Sequence, residues 1–344
     1  MRLVVQENDV FDFVKKDCNK VSFSEWQVFE EMEMTMKRLE RMPVPVLPTF
    51  VGALTLSNVY SGMGYPWVRH ITMWAATIVL LLYIVKIIKF PNTCKKEYET
   101  VVPCSLYAGF TMVTMILGSY YFDYVPAIGK GMWAVALAIH AVHILVFTYR
   151  NVIKKRDINT FVPSWFVTYN GIMVSCVVGG AMNAAGILKY VVYYGIVIYF
   201  IIIPIMIWRL LKVEVKAPVY HTMAVVLAPC SLCVVSYLNV IPNPNATLVY
   251  ILYACVLASL AFVIIKLPKF FSFSFAPGFA GMTFPMAIGI VASNKMAGFL
   301  TAAGNESMAA VVTQISGIQV YLTTMIVGYV LLNFAIMALK IERK

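Results

Sequence analysis

Ten apolar stretches, each about 20 residues long and so able to cross about 30 Å of hydrocarbon, run through this chain of 344 residues, and none contains an aspartate or a glutamate. They cover 45–64, 66–90, 103–122, 126–149, 163–187, 189–212, 218–240, 246–267, 272–294 and 309–339. Backbone placed in lipid must satisfy its own hydrogen bonds, so such stretches fold as helices. The chain is 61% hydrophobic and 12% charged, about half the charged fraction of a soluble domain. That excludes a disordered chain, a disulfide-stapled secreted scaffold and an ordinary soluble enzyme. The expected class is all-α: a polytopic membrane protein with ten transmembrane helices.

Lysine and arginine give the orientation, because they accumulate on the cytoplasmic side of a membrane. The N-terminal tail, the loops after the even-numbered spans and the C-terminus carry 23 of them, and the opposite loops carry 4: Arg69, Lys130, Lys189 and Lys295. Both termini are expected in the cytoplasm, with the body in the plasma (inner) membrane. The formal charge of +11 divides accordingly. Residues 1–42 hold 7 basic and 9 acidic residues, and the remainder holds 20 and 7. The excess is a topology signal at the face of a membrane body, so no nucleic-acid partner is expected.

Two units follow, a cytoplasmic tail over 1–42 and a transmembrane domain over 43–344. The tail lacks the apolar core and cleavage site of a signal peptide. Ser22 and Glu25 fit a capping box, and Val28, Met32, Met36 and Leu39 recur at helical spacing. They predict an amphipathic helix over 22–41, placed on the membrane surface, against the transmembrane body, or in solvent as a plain leader.

The spans fall into two classes. The odd ones hold 20 Gly and Pro residues and the even ones 8. Small residues and helix breakers belong where helices pack closely or line a cavity, and bulky aliphatic surface belongs in lipid. Pro45, Pro103, Pro163, Pro218 and Pro277 each stand near the start of an odd span, 55 to 60 residues apart. The pattern fits five consecutive hairpins, with odd helices around a central axis and even helices outside.

A pathway along that axis would lack carboxylates, which argues against a cation channel or a carboxylate proton relay. Thr111, Thr114, Ser175, Ser231 and Thr283 are its candidate hydroxyl lining. His140 and His143 read as a hydrogen-bonded pair between helices, and His221 as an interfacial structural histidine. The Cys230–Cys233 spacing lies inside a span and reads as packing. HExxH, Walker, GxSxG and paired-carboxylate motifs are missing from the sequence, so neither enzymatic activity nor a cofactor or metal is expected.

The odd spans also carry a family resemblance. The run Thr222–Leu238, with Leu-Ala-Pro at 227–229 and Ser-Tyr-Leu at 236–238, resembles the seventh helix of the tellurite-resistance/dicarboxylate transporter family. Pro163-Ser164 followed by Trp165 and Phe166 resembles the start of its fifth helix, and Ser105 through Thr114 to Gly118 its third. Met282-Thr283-Phe284-Pro285-Met286 is similar to the aromatic–Thr–Phe–Pro motif of plant guard-cell slow anion channels, with Met282 departing from the usual aromatic and Gly281 replacing a residue that is often Ala. Pro43, Pro45 and Pro48 leave the first helix more than one register.

The resemblance spans roughly 43–340 and points to a bacterial-type homologue of the plant channels. It implies five hairpins around a pore, a homotrimer with one pore per subunit, and Phe284 as the occluding residue. Pro229, Gly278 and Pro285 are then lining or hinge candidates. The expected activity is a gated anion channel or channel-like uniporter, weakly selective among small anions such as chloride and nitrate. A proton-coupled C4-dicarboxylate (malate) carrier and a tellurite or sulfite exporter are the alternatives within the family. A carrier needs a mid-membrane basic pair and a titratable coupler, and this sequence offers only histidines. A non-transporting scaffold is the third reading, disfavoured by the short loops.

Overall fold

The computed structural model describes residues 23–340, and every described element is helical. Helix α1 is Phe23–Glu40 and α2 is Val46–Gly62; α3 is Pro66–Lys89, α4 Pro91–Glu99, α5 Val101–Leu106, α6 Ala108–Phe122 and α7 Pro126–Phe147. A π-helical stretch, Thr148–Lys155, prolongs α7. Two short pieces, α8 (Trp165–Tyr169) and α9 (Val174–Val178), precede α10 (Ala185–Lys212). The 3-10 segment Ala217–Val226 leads into α11 (Leu227–Val240), and α12 is Ala246–Phe270. A second 3-10 segment, Pro277–Met282, leads into α13 (Thr283–Ala302), and α14 is Glu306–Lys340.

Helix starts follow local chemistry. Pro66, Pro91 and Pro126 open α3, α4 and α7, where a missing N–H costs no intrahelical bond. Asn245 caps α12, its Oδ1 accepting from the Leu248 N–H at 3.1 Å.

Among the described residues, seven helical runs are long and apolar enough to cross a membrane: Pro66–Lys89, Val101–Phe122, Pro126–Lys155, Ala185–Lys212, Ala217–Val240, Ala246–Phe270 and Glu306–Leu339. Three predicted spans differ from this pattern. The first becomes α2, of 17 residues. The fifth breaks into α8, α9 and two 3-10 turns. The ninth begins irregularly and turns helical through Pro277–Met282. Hydropathy sees apolar composition and is blind to the glycines and Asn170 that interrupt the fifth stretch. Broken backbone of this kind is tolerated at membrane depth where protein surrounds it, and Trp165 through Cys176 are all buried.

Burial separates the runs sharply. The apolar windows of Val101–Phe122 and Ala217–Val240 are 72% and 83% buried, whereas those of the other five are 22–39% buried. The inner segments form a closed ring in which α2 packs on α6, α6 on α9, α9 on α11, α11 on α13, and α13 back on α2. The more exposed helices lie outside it; α7 packs on α6 and α14 on α13.

Helix α4 was not foreseen, being too short and polar for a hydropathy scan. It holds a buried latch. Lys86, fully buried at the end of α3, donates through Nζ to the Met42 carbonyl at 2.7 Å and to Glu97 Oε1 at 2.7 Å. The Tyr107 hydroxyl donates to the other oxygen of Glu97 at 2.6 Å. The tail helix reaches this region by its last turn: Leu39 is buried, Met32 is exposed, and Glu40 accepts from the Thr93 hydroxyl. Ser22, and with it the expected capping box, lies outside the described residues.

Candidate functional site

The start of α13 is set by three neighbouring residues. The Thr283 hydroxyl lies 2.8 Å from the Ala280 carbonyl and 3.3 Å from that of Pro48, tying the 3-10 segment and α2 to the new helix. Pro285 falls in the first turn, where the backbone N–H has no intrahelical partner anyway. Gly52 brings the backbones of α2 and α13 nearly into touch: a Cβ there would stand 2.6 Å from the Phe284 nitrogen and 2.7 Å from the Thr283 carbonyl carbon. Phe284 is held at that crossing and is 5% exposed.

Beyond the crossing the ring opens into a cavity of ≈ 350 Å³. Helix α2 contributes Thr55, Asn58, Val59 and Gly62, α6 contributes Ile116, and α9 contributes Val174, Val177 and Val178. Helix α13 contributes Phe284, Ile288, Val291 and Asn294, one face at successive turns. Phe284 and Thr55 mark the inner end; Gly62 and the exposed Met63 mark the mouth. The lining contains no charged residue.

The polar groups near the mouth are arranged as donors. Asn58 Oδ1 accepts from Arg69 Nε at 3.0 Å, and Asn294 Oδ1 accepts from the Ser316 hydroxyl at 2.6 Å. Each amide oxygen is thereby engaged, and each NH₂, which can only donate, has no acceptor among the described residues. Arg69 also pairs with Asp123 at 3.2 Å and lies 5.0 Å from the centre of the Tyr120 ring. Lys295 follows Asn294 and lines, with it, an adjoining cavity of ≈ 460 Å³.

Of the nine residues singled out from sequence, Phe284 lines the central cavity and the other eight do not. Thr111 Oγ1 lies 2.6 Å from His140 Nδ1. His140 Nε2 faces the Thr168 carbonyl at 2.9 Å, so Nε2 carries the proton and Nδ1 accepts from Thr111. His143 sits between the Tyr98 hydroxyl at 2.7 Å and the Thr168 hydroxyl at 3.2 Å. The two histidines thus join α7 to α6 and α8. Thr114, Ser175 and Ser231 each bond a carbonyl of the preceding turn, those of Phe110, Ile172 and Leu227. Pro229 is buried in α11.

Gly278 packs near the Pro218 carbonyl, where the two 3-10 segments meet. His221 stacks on Phe279 there, ring centres 3.8 Å apart, with Nε2 on the Phe270 carbonyl at 2.9 Å. Cys230 and Cys233 are buried, their thiols on backbone carbonyls.

Sequence reasoning missed Thr55, Asn58, Ile288, Val291 and Asn294. Helical stepping from Phe284 reaches the last three, so that part of the lining was recoverable. The α2 residues were not, because the prolines before α2 left its register open.

Residues 44–340 match the family model described as voltage-dependent anion channel. No curated protein matches the chain.

Proposed function

The chain belongs to the voltage-dependent anion channel family, and on that premise we propose that it passes small anions passively along the ring axis, with Phe284 as the closed gate. The observation that carries the proposal is the position of the phenylalanine: the ring of a bulky apolar residue ends an uncharged cavity at the point where Gly52 lets two helices meet. A ring of that size in a narrow apolar passage excludes both ion and water.

The two free amide NH₂ groups at the mouth and the nearby Arg69 and Lys295 favour anions over cations. Neutral donors and distant charges bind weakly, so discrimination among chloride, nitrate and similar ions is poor. Opening needs the Phe284 ring to leave its place; Pro285 beside it and Gly278 in the preceding 3-10 segment supply local freedom. The fold reading that goes with this function is ten spans in five hairpins, with 1–42 as a cytoplasmic tail, both termini cytoplasmic, the mouth external, and three copies in the plasma membrane, each with its own pathway.

The test is Phe284→Ala in planar bilayers with a chloride gradient. Conductance rises on the order of tenfold or more, the factor that corresponds to lowering a barrier by about 1.4 kcal/mol, with a reversal potential near that of chloride. A variant that assembles normally yet conducts no better than the parent assigns Phe284 to packing alone. Saturating, proton-dependent malate uptake by the parent would identify a carrier instead.

A further inference from the structure

A second cavity, of ≈ 580 Å³, lies outside the ring in the gap between α7 and α10, with the short α8 as its floor. Its walls are aliphatic and aromatic: Ile198, Ile201 and Ile205 on α10 face Trp165 and Tyr169 on α8. The two polar side chains from α7 and its π-helical extension are engaged within the protein. Thr148 bonds the Ile144 carbonyl and the Tyr169 hydroxyl, and Asn151 bonds the Phe147 carbonyl. Tyr194 on α10 also lines the groove, and its buried hydroxyl has no partner among the described residues; around it the α10 and α8 walls are aliphatic and aromatic.

Its dimensions identify the occupant. The α10 lining runs from Tyr194 to Ile205, about 16 Å at 1.5 Å per residue, which is about half the 30 Å hydrocarbon core. Dividing ≈ 580 Å³ by that length, taken at 1.5 Å per residue, leaves a mean section of roughly 36 Å², which accommodates a single hydrocarbon chain lying along α10. At the shallow end stands Arg156, in the left-handed conformation (φ 47°) that ends the π-helical stretch. Its Nε donates to the Ile153 carbonyl at 3.1 Å, and its terminal amino groups have no partner among the described residues. Asp157 beside it is occupied by Asn159, which donates to Oδ1 from both its backbone and its side chain at 3.0 Å. Lys154 and Lys155 precede them, so the rim is net cationic.

We propose that this groove is a lipid site: it holds one acyl chain of a phospholipid from the leaflet at the Arg209–Lys212 end of α10, with the lipid phosphate on Arg156. The π-helical stretch contributes by prolonging α7 so that Thr148, Asn151 and Val152 line one wall and the basic run 154–156 stands at the rim. The inference rests on the chain spanning a membrane and is independent of the anion pathway.

The full-length protein in nanodiscs of phosphatidylcholine with a minor fraction of phosphatidylglycerol, released for native mass spectrometry, reads the site directly. The parent retains one tightly held phospholipid per chain, enriched in phosphatidylglycerol. Ile198→Trp, which fills the groove, loses that lipid while chloride flux through a Phe284→Ala background persists, so failure of the site and failure of the pathway are read separately. Arg156→Asn keeps a residue type that tolerates the left-handed conformation. It keeps the retained lipid but lowers the preference for phosphatidylglycerol about fivefold, the effect of one basic group at an anionic surface. Equal retention by parent and Ile198→Trp, or disulfide capture of two chains through Ile198→Cys, which would make the groove an interface between copies, overturns the proposal.

Discussion

Inner and outer helices of this protein are written in different chemistry. The inner ring is interrupted and rich in Gly and Pro, and its hydroxyls are spent on its own carbonyls; Gly52 sets two backbones within van der Waals contact of each other. The outer helices are long and uninterrupted, with Ile, Leu and Val exposed along one side, as at Ile201, Leu211 and Ile318. The difference teaches where tolerance lies. Inside, a single methyl group collides with backbone, which has no alternative rotamer. Outside, on the face turned from the ring, as at Gly317 and Gly328, a new side chain meets open space that lipid fills.

Substitutions graded by expected effect break or sharpen this contrast. Glu97→Ala has the largest, because it leaves the fully buried Lys86 without a counter-charge, with the Met42 carbonyl and the face of the Tyr83 ring as its remaining partners; removing the partner of a buried charge costs about 3–5 kcal/mol. Thermal unfolding in detergent checks it, and a midpoint unchanged from the parent would show that the latch is idle. This test bears on the contrast because Lys86 ends an outer helix, so a large loss locates a rigid point outside the ring.

Gly52→Ala is next. The added carbon meets backbone at 2.6 and 2.7 Å, and overpacking of this kind costs about 1–3 kcal/mol, read as a lower unfolding midpoint together with a changed closed-state leak. A stable, tight variant would mean that α2 and α13 can part freely.

Asn294→Asp has a smaller effect. It replaces a donor by an acceptor and places a negative charge at the mouth, so chloride current through Phe284→Ala channels falls severalfold at low salt and recovers as salt screens the charge. Current unaltered at every ionic strength would remove the amide donors from the pathway. The smallest effect belongs to Gly317→Ala on α14, where nothing lies within 4 Å of the new carbon. Helix propensity favours the alanine by about 0.8–1 kcal/mol, so the unfolding midpoint stays level or rises slightly; a marked fall would reveal a contact surface on that face.

Much of the architecture was legible before any coordinates. The imbalance of Gly and Pro between odd and even spans reports the same physics as the burial of Val101–Phe122 and Ala217–Val240, because close packing and helix breaking need those residues. Phe284 was found through its motif, and the structure places it on the cavity. The hydroxyl candidates show what sequence could not resolve. A serine or threonine in an apolar helix satisfies itself on the carbonyl three or four residues back, so residue type gives no direction: Ser231 and Thr114 do so, and Thr111 lies within reach of both the Ala108 carbonyl and His140. The amides that do face the cavity were passed over because an asparagine near a helix end reads as a cap or loop residue. Their role depends on Arg69 and Ser316, which stand 11 and 22 residues further on, each on the next helix, and come into reach only once the two helices pack.

The cavity above Phe284 also shapes the electric field. From Thr55 to Met63, or from Phe284 to Asn294, it is about 12–15 Å deep at 1.5 Å per residue, close to half of a hydrocarbon core of about 30 Å. Water filling that depth carries the potential of the mouth side down to the phenylalanine ring. The membrane voltage then falls across the remaining half, at about twice the gradient of an intact bilayer. On the proposed pathway, an ion waiting above Phe284 feels almost none of that voltage, and it feels nearly all of it only after crossing the remaining half, about 2.3 kcal/mol per elementary charge for each 100 mV.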